Sequence, residues 1–97
     1  MWIAERTLHL VDPSSLERRP VVIRITAPVP VTESNAFGCT VQLEGLIDDI
    51  QPIQGVDSFQ AVELACSFVH RYLSGCKHAR NLHWPTGERY LDTPDSD

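Results

Sequence analysis

Residues 55–75 read GVDSFQAVELACSFVHRYLSG, and the fold turns on them. The stretch carries a start, an apolar periodicity and a stop. Asp57 can accept from the orphan N–H groups of a first helical turn, and Gln60 stands where a capping box needs it. The Asp57 carboxylate also suits the positive end of the helix dipole. Gly75 fits the left-handed position just past a helix end, with Arg71 towards the negative pole. The expected helix is Ser58–Ser74, about 25 Å long. Phe59, Ala61, Val62, Ala65, Cys66, Phe68, Val69, Tyr72 and Leu73 fill one arc of it, with Leu64 at the border. Gln60, Glu63, Ser67, His70, Arg71 and Ser74 fill the remainder. That arc exceeds the stripe of about 100° on an ordinary surface helix. Two expectations follow from it. The helix settles deep into a curved sheet, or its flank at Leu64, Phe68 and Tyr72 meets a second copy as a homodimer. Truncating Phe59 or Val69 to alanine is expected to cost about 2–5 kcal/mol. Truncating Gln60, on the polar arc, is expected to cost under about 1 kcal/mol.

Upstream of the helix, alternation takes over. Ile3–Val11 reads as a strand with Ala4, Leu8 and Leu10 on one face and Glu5, Thr7 and His9 on the other. Asp12-Pro13-Ser14-Ser15 is turn chemistry. Val21–Ala27 is a second strand, ended by Pro28 and Pro30, and Pro28–Asn35 reads as a mobile loop. Phe37–Glu44 is a third strand, Gly45–Asp49 a hairpin turn, and Ile50–Gln54 a fourth strand. Pro52 puts the fourth strand at an edge or a bulge. Connections this short make an antiparallel meander. After the helix, Asn81–Trp84 reads as a last strand and Pro85-Thr86-Gly87 as a turn. The last strand is expected antiparallel to the first and third; a place beside the first gives strand order 5-1-2-3-4, though the sequence leaves the order open. The fold class is therefore α+β: an antiparallel sheet of four or five strands with one long helix on one face. The open face carries Glu5, Thr7, His9, Val22, Arg24, Thr26, Thr40, Gln42 and Glu44.

A chain of 97 residues makes one domain, expected over residues 1–91, with 92–97 as an acidic, disordered tail. No apolar run approaches the ~20 residues of a membrane span. MWIAERTLHL has neither the basic flank nor the apolar run of a secretory signal. Cys39, Cys66 and Cys76 are an odd set, so no disulfide framework is implied and the expected location is cytoplasmic. The net charge of −5 argues against a general nucleic-acid binder, whose affinity comes from neutralising phosphates. No membrane partner and no cofactor are expected.

His70, Cys76, His78 and His83 are the densest set of ligand-type side chains. A zinc site needs four such donors to converge, and the spacing H-x5-C-x-H-x4-H matches no standard knuckle or ribbon. No metal site is expected, and the four stay as candidates for a metal protein or enzyme. Glu63, Ser67 and His70 share a helix face, but a mid-helix serine has no oxyanion donors beside it. No catalytic residue is assigned. Cys66 and Cys39 read as small core hydrophobes. Arg71, Lys77 and Arg80 with His78 form one local cationic patch, and Trp84 and Tyr90 offer stacking surfaces near it. No phosphate loop, nucleophile elbow or zinc-protease motif occurs.

The run G-V-D-S-F-Q-A-V-E-L-A, then a helix and L-H-W, resembles small bacterial proteins of an uncharacterised family. Strand-rich N-terminal halves with an L-E-G-L-like hairpin, here Leu43-Glu44-Gly45-Leu46, precede that helix. The resemblance covers Arg6 to Trp84, and its motifs are structural, so it implies no activity. Small strand-rich bacterial proteins also include Sm-like barrels that oligomerise and bind RNA. Their helix precedes the five strands, whereas here it lies between the fourth and the last. The expected function is non-enzymatic: binding a protein partner or itself. The alternative is an Sm-like RNA-binding module using Arg71, Lys77, Arg80 and Trp84.

Overall fold

The computed structural model describes residues 1–91; the expected tail at 92–97 lies outside the described residues. The elements are β1 (Trp2–Val11), β2 (Arg18–Thr26), β3 (Val29–Val31), β4 (Ala36–Glu44), β5 (Gln51–Gly55), α1 (Ser58–Gly75) and β6 (Leu82–His83). A short 3-10 turn at Ala79–Asn81 precedes β6. All pairings are antiparallel and the order across the sheet is β6-β1-β2-β4-β5. This is the expected α+β class, and the structure places the last strand beside the first.

The segment Pro28–Asn35, expected as a mobile loop, contains a strand. β3 continues along the same edge of β4 that β2 occupies, with the register slipped by one residue. The prolines at 28 and 30 break the run without ending the pairing. At the slip, the Thr26 hydroxyl accepts from the Thr40 N–H at 2.8 Å, a bond the ladder would otherwise lose. A second irregularity lies between Trp2 and Ala4 in β1. It turns Trp2 onto the open face, where Arg24 sits over its ring at 6.0 Å.

The helix start matches its sequence signal. Asp57 Oδ1 accepts from the Gln60 N–H at 2.8 Å. Gln60 Oε1 reaches back to the N–H of Val56 at 2.7 Å, one residue before the cap. The stop differs. Gly75 is the last helical residue and has no positive φ. The helix instead ends because Cys76 turns extended while its N–H still reaches the Tyr72 carbonyl.

The buried face of α1 is narrower than the arc implied. Ala61, Ala65 and Leu73 are fully buried, with Val62, Phe68, Val69 and Tyr72 partly so. Phe59 is 71% exposed and Cys66 is exposed, so neither is a core residue. The reason is lateral position. α1 packs on β4 and β5, and along Cys66, Val69 and His70 a cleft opens between it and the Ala4–Arg6 stretch of β1 with Ile23 and Ile25 of β2. The core is Leu8, Leu10, Val21, Ile23, Ile25, Cys39, Val41 and Leu43 from the sheet, closed by Leu82 and the three helix residues.

The helix start presses directly on β5. A Cβ built on Gly55 would lie 2.5 Å from the Ala61 nitrogen and 2.8 Å from the Gln60 carbonyl carbon. At the opposite end of β4, Gly45 takes φ +99 in the turn to β5, a conformation open to glycine.

Gly55→Ala should therefore destabilise the fold by about 1–3 kcal/mol or more, because backbone rather than a side chain must yield. Leu73→Ala should cost about 2–5 kcal/mol, and Phe59→Ala within about 0.5 kcal/mol of zero. Denaturant midpoints test both; a Phe59 variant as costly as the Leu73 variant would place α1 in the wrong rotation.

Candidate functional site

The open face of the sheet carries the side chains expected of it, organised around Arg24. Its guanidinium reaches Glu44 at 2.6 Å, Glu5 at 2.7 Å and the Gln42 side chain at 2.9 Å. These bonds, Glu44 first and then Glu5, hold Arg24 further above its ordinary pKa. Through Nε and one terminal nitrogen, Arg24 ties Glu5, Gln42 and Glu44 together across three strands.

The other side of the sheet is less finished. β1 is ten residues long, but β6 pairs with it only at His9 and Leu10. The chain then turns back at Trp84: the Gly87 N–H bonds the Trp84 carbonyl, the Trp84 N–H bonds Glu88, and the Tyr90 N–H bonds Leu82. Leu82 and Trp84 thus point their backbone groups away from β1, and His83 points its own at His9. By the alternation of an antiparallel ladder, Thr7 and Glu5 then aim N–H and C=O at an edge that no described strand occupies. Every residue from Trp2 to Thr7 is exposed.

Beside that edge, between α1 and the inner faces of β1 and β2, runs a cleft of about 320 Å³. Ala4, Ile23, Ile25 and Val69 give it an apolar floor, and Arg6, His70, Cys66 and Tyr90 surround it. Arg6 is the residue the sequence reading passed over. It falls on the apolar face of β1, between Ala4 and Leu8, and a charge in that register was the signal for it. Its guanidinium lies 5.2 Å from the centre of the Trp84 ring and 5.8 Å from that of Tyr90, and donates to the Tyr90 hydroxyl at 2.9 Å. The two rings meet edge to face at 5.0 Å. Trp84 is thus engaged by Arg6 and Tyr90.

A second depression, of about 460 Å³, shares His70 with the first and continues past Ser74, Arg80, Leu82 and Arg89. The expected cationic patch is therefore divided. Arg80 lies here, while Arg71, Lys77, His78 and Cys76 line a separate hollow with Leu46 and Tyr72. The metal candidates are divided in the same way. His70 is exposed on α1, the Cys76 thiol lies 3.7 Å from the Leu73 carbonyl, His78 precedes the 3-10 turn, and His83 Nδ1 sits 3.1 Å from the Asn81 carbonyl. Among the described residues no three His, Cys, Asp or Glu side chains gather closely enough to hold a metal ion. On the far flank of α1, Phe68 and Tyr72 stack at 6.3 Å and pack against the core, and Leu64 beside them is 38% exposed.

A family model described as a domain of unknown function (DUF6968) matches residues 4–94, and the chain belongs to that family. No curated protein and no solved structure matches it. No helix among the described residues is long and apolar enough to cross a membrane.

The cysteines give a direct test of this geometry. Burial first, and the neighbouring Cys66 thiol second, push the Cys39 thiol above its ordinary pKa. In native protein, iodoacetamide should label Cys66 readily and Cys39 only after unfolding, as read by peptide mass spectrometry. The sign for stability follows: the unfolded chain releases the Cys39 proton first, so stability falls as pH climbs through the ordinary thiol range. Equal labelling of Cys39 and Cys66 in the native state would contradict the seating of α1 over β4.

Proposed function

We propose that the protein is a non-enzymatic binding module that accepts an extended segment of a protein partner as an added strand on β1. The observation that carries this reading is the free edge at Glu5 and Thr7 on a strand long enough to pair further. Strand addition gives affinity through main-chain hydrogen bonds and specificity through pockets for alternate side chains. The edge supplies the first and the adjoining cleft the second. Arg24 is engaged by Glu5, Gln42 and Glu44, and the histidines are divided among different surfaces. The setting proposed is a bacterial cytosol, which the three free cysteines support.

Thr7→Pro is the informative variant. It removes an outward N–H from an edge position, where proline is tolerated. Random decapeptides displayed on phage should be retained by the native chain and lost on the Thr7→Pro variant, while thermal unfolding of the two stays within a few degrees. Peptides held equally well by both proteins would exclude the edge as the binding site.

A further inference from the structure

We infer that the segment taken up on β1 is acidic on its inner side, its carboxylates being read by Arg6 and by the basic groove beyond it. This rests on the strand-addition reading and specifies its partner. An added strand lies about 4.8 Å from β1 and places alternate side chains over the cleft. The residue facing Arg6 across that edge stands within reach of its guanidinium, and opposite charges in such cross-strand positions attract. Arg6 is held by a hydroxyl and two aromatic rings, so its charge is positioned without being neutralised. Among the described residues only Arg24 is ion-paired with carboxylates.

The groove beyond Arg6 repeats that pattern. His70 joins the first cleft to the second, where Arg80 and Arg89 stand over Leu82. Glu5 is the one acidic residue lining either cleft, and it is bound to Arg24 on the opposite face. Ala4, Ile23, Ile25 and Val69 give the first cleft an apolar floor, and His70, Ser74, Arg80 and Arg89 line the second. The complementary ligand is an extended peptide with acidic side chains turned inward and uncharged ones turned outward. On the outer side the added strand meets Glu5 and Thr7, where a further carboxylate is repelled. This side-dependence separates a peptide strand from a general polyanion.

Capped octapeptides alternating valine with aspartate, asparagine or lysine test this by fluorescence anisotropy against the full chain. Valine–aspartate should bind about tenfold or more tighter than valine–asparagine and weaken with added salt. Arg6→Gln should erase most of that preference while leaving valine–asparagine binding unchanged. Thr7→Pro should weaken all three peptides together. If aspartate and asparagine peptides bind alike and both are lost in Thr7→Pro, the acid preference is wrong and strand addition survives. If Thr7→Pro changes nothing, strand addition itself fails. Tighter binding of a thymidine octanucleotide than of the aspartate peptide would assign the groove to nucleic acid. Light scattering that finds a dimer dissolved by Thr7→Pro would assign the edge to a second copy. Either result overturns the inference, as does the absence of peptide binding at millimolar concentration.

Discussion

The arrangement depends on how closely α1 approaches β5. The backbone of the first helical turn lies where a side chain on Gly55 would be, and Ala61 and Ala65 are the residues turned towards the sheet behind it. Small residues at a contact let two backbones come within touching distance. That anchors the helix start to an edge strand rather than to the middle of the sheet. A helix so anchored cannot also cover the far strands. The cleft beside the exposed Ala4–Arg6 stretch of β1 is thus a consequence of where the tight contact lies.

Much of the fold was legible because it rests on short-range rules. Alternation placed Val21, Ile23 and Ile25 inward and Val22, Arg24 and Thr26 outward, and the register agrees. Asp57 and Gln60 announced the helix start. What the sequence could not carry was the lateral position of the helix. Phe59 and Cys66 belong to the apolar arc by angle, yet both are exposed, Cys66 at the border of the cleft. A helical wheel gives direction but not distance. β3 was hidden for a different reason: Pro28 and Pro30 signal a break, and a one-residue slip lets pairing resume past it.

The site was less legible than the fold. A free edge is a property of pairing between distant segments, here the brevity of β6 against the length of β1, and no local pattern encodes it. Arg6 did leave a trace, as a charge on the apolar face of a strand. The histidines and Cys76 had the opposite character. They were close in sequence and are distributed by the helix end, the 3-10 turn and β6 to different surfaces.

The two borders of the sheet are chemically unequal. β5 carries Pro52 as its second residue, which has no N–H to offer a neighbour, and β1 is closed off at His9 by the returning chain. Under the proposed strand addition, the border opposite β1 is the poorer template, which disfavours the edge-to-edge stacking that open sheets suffer.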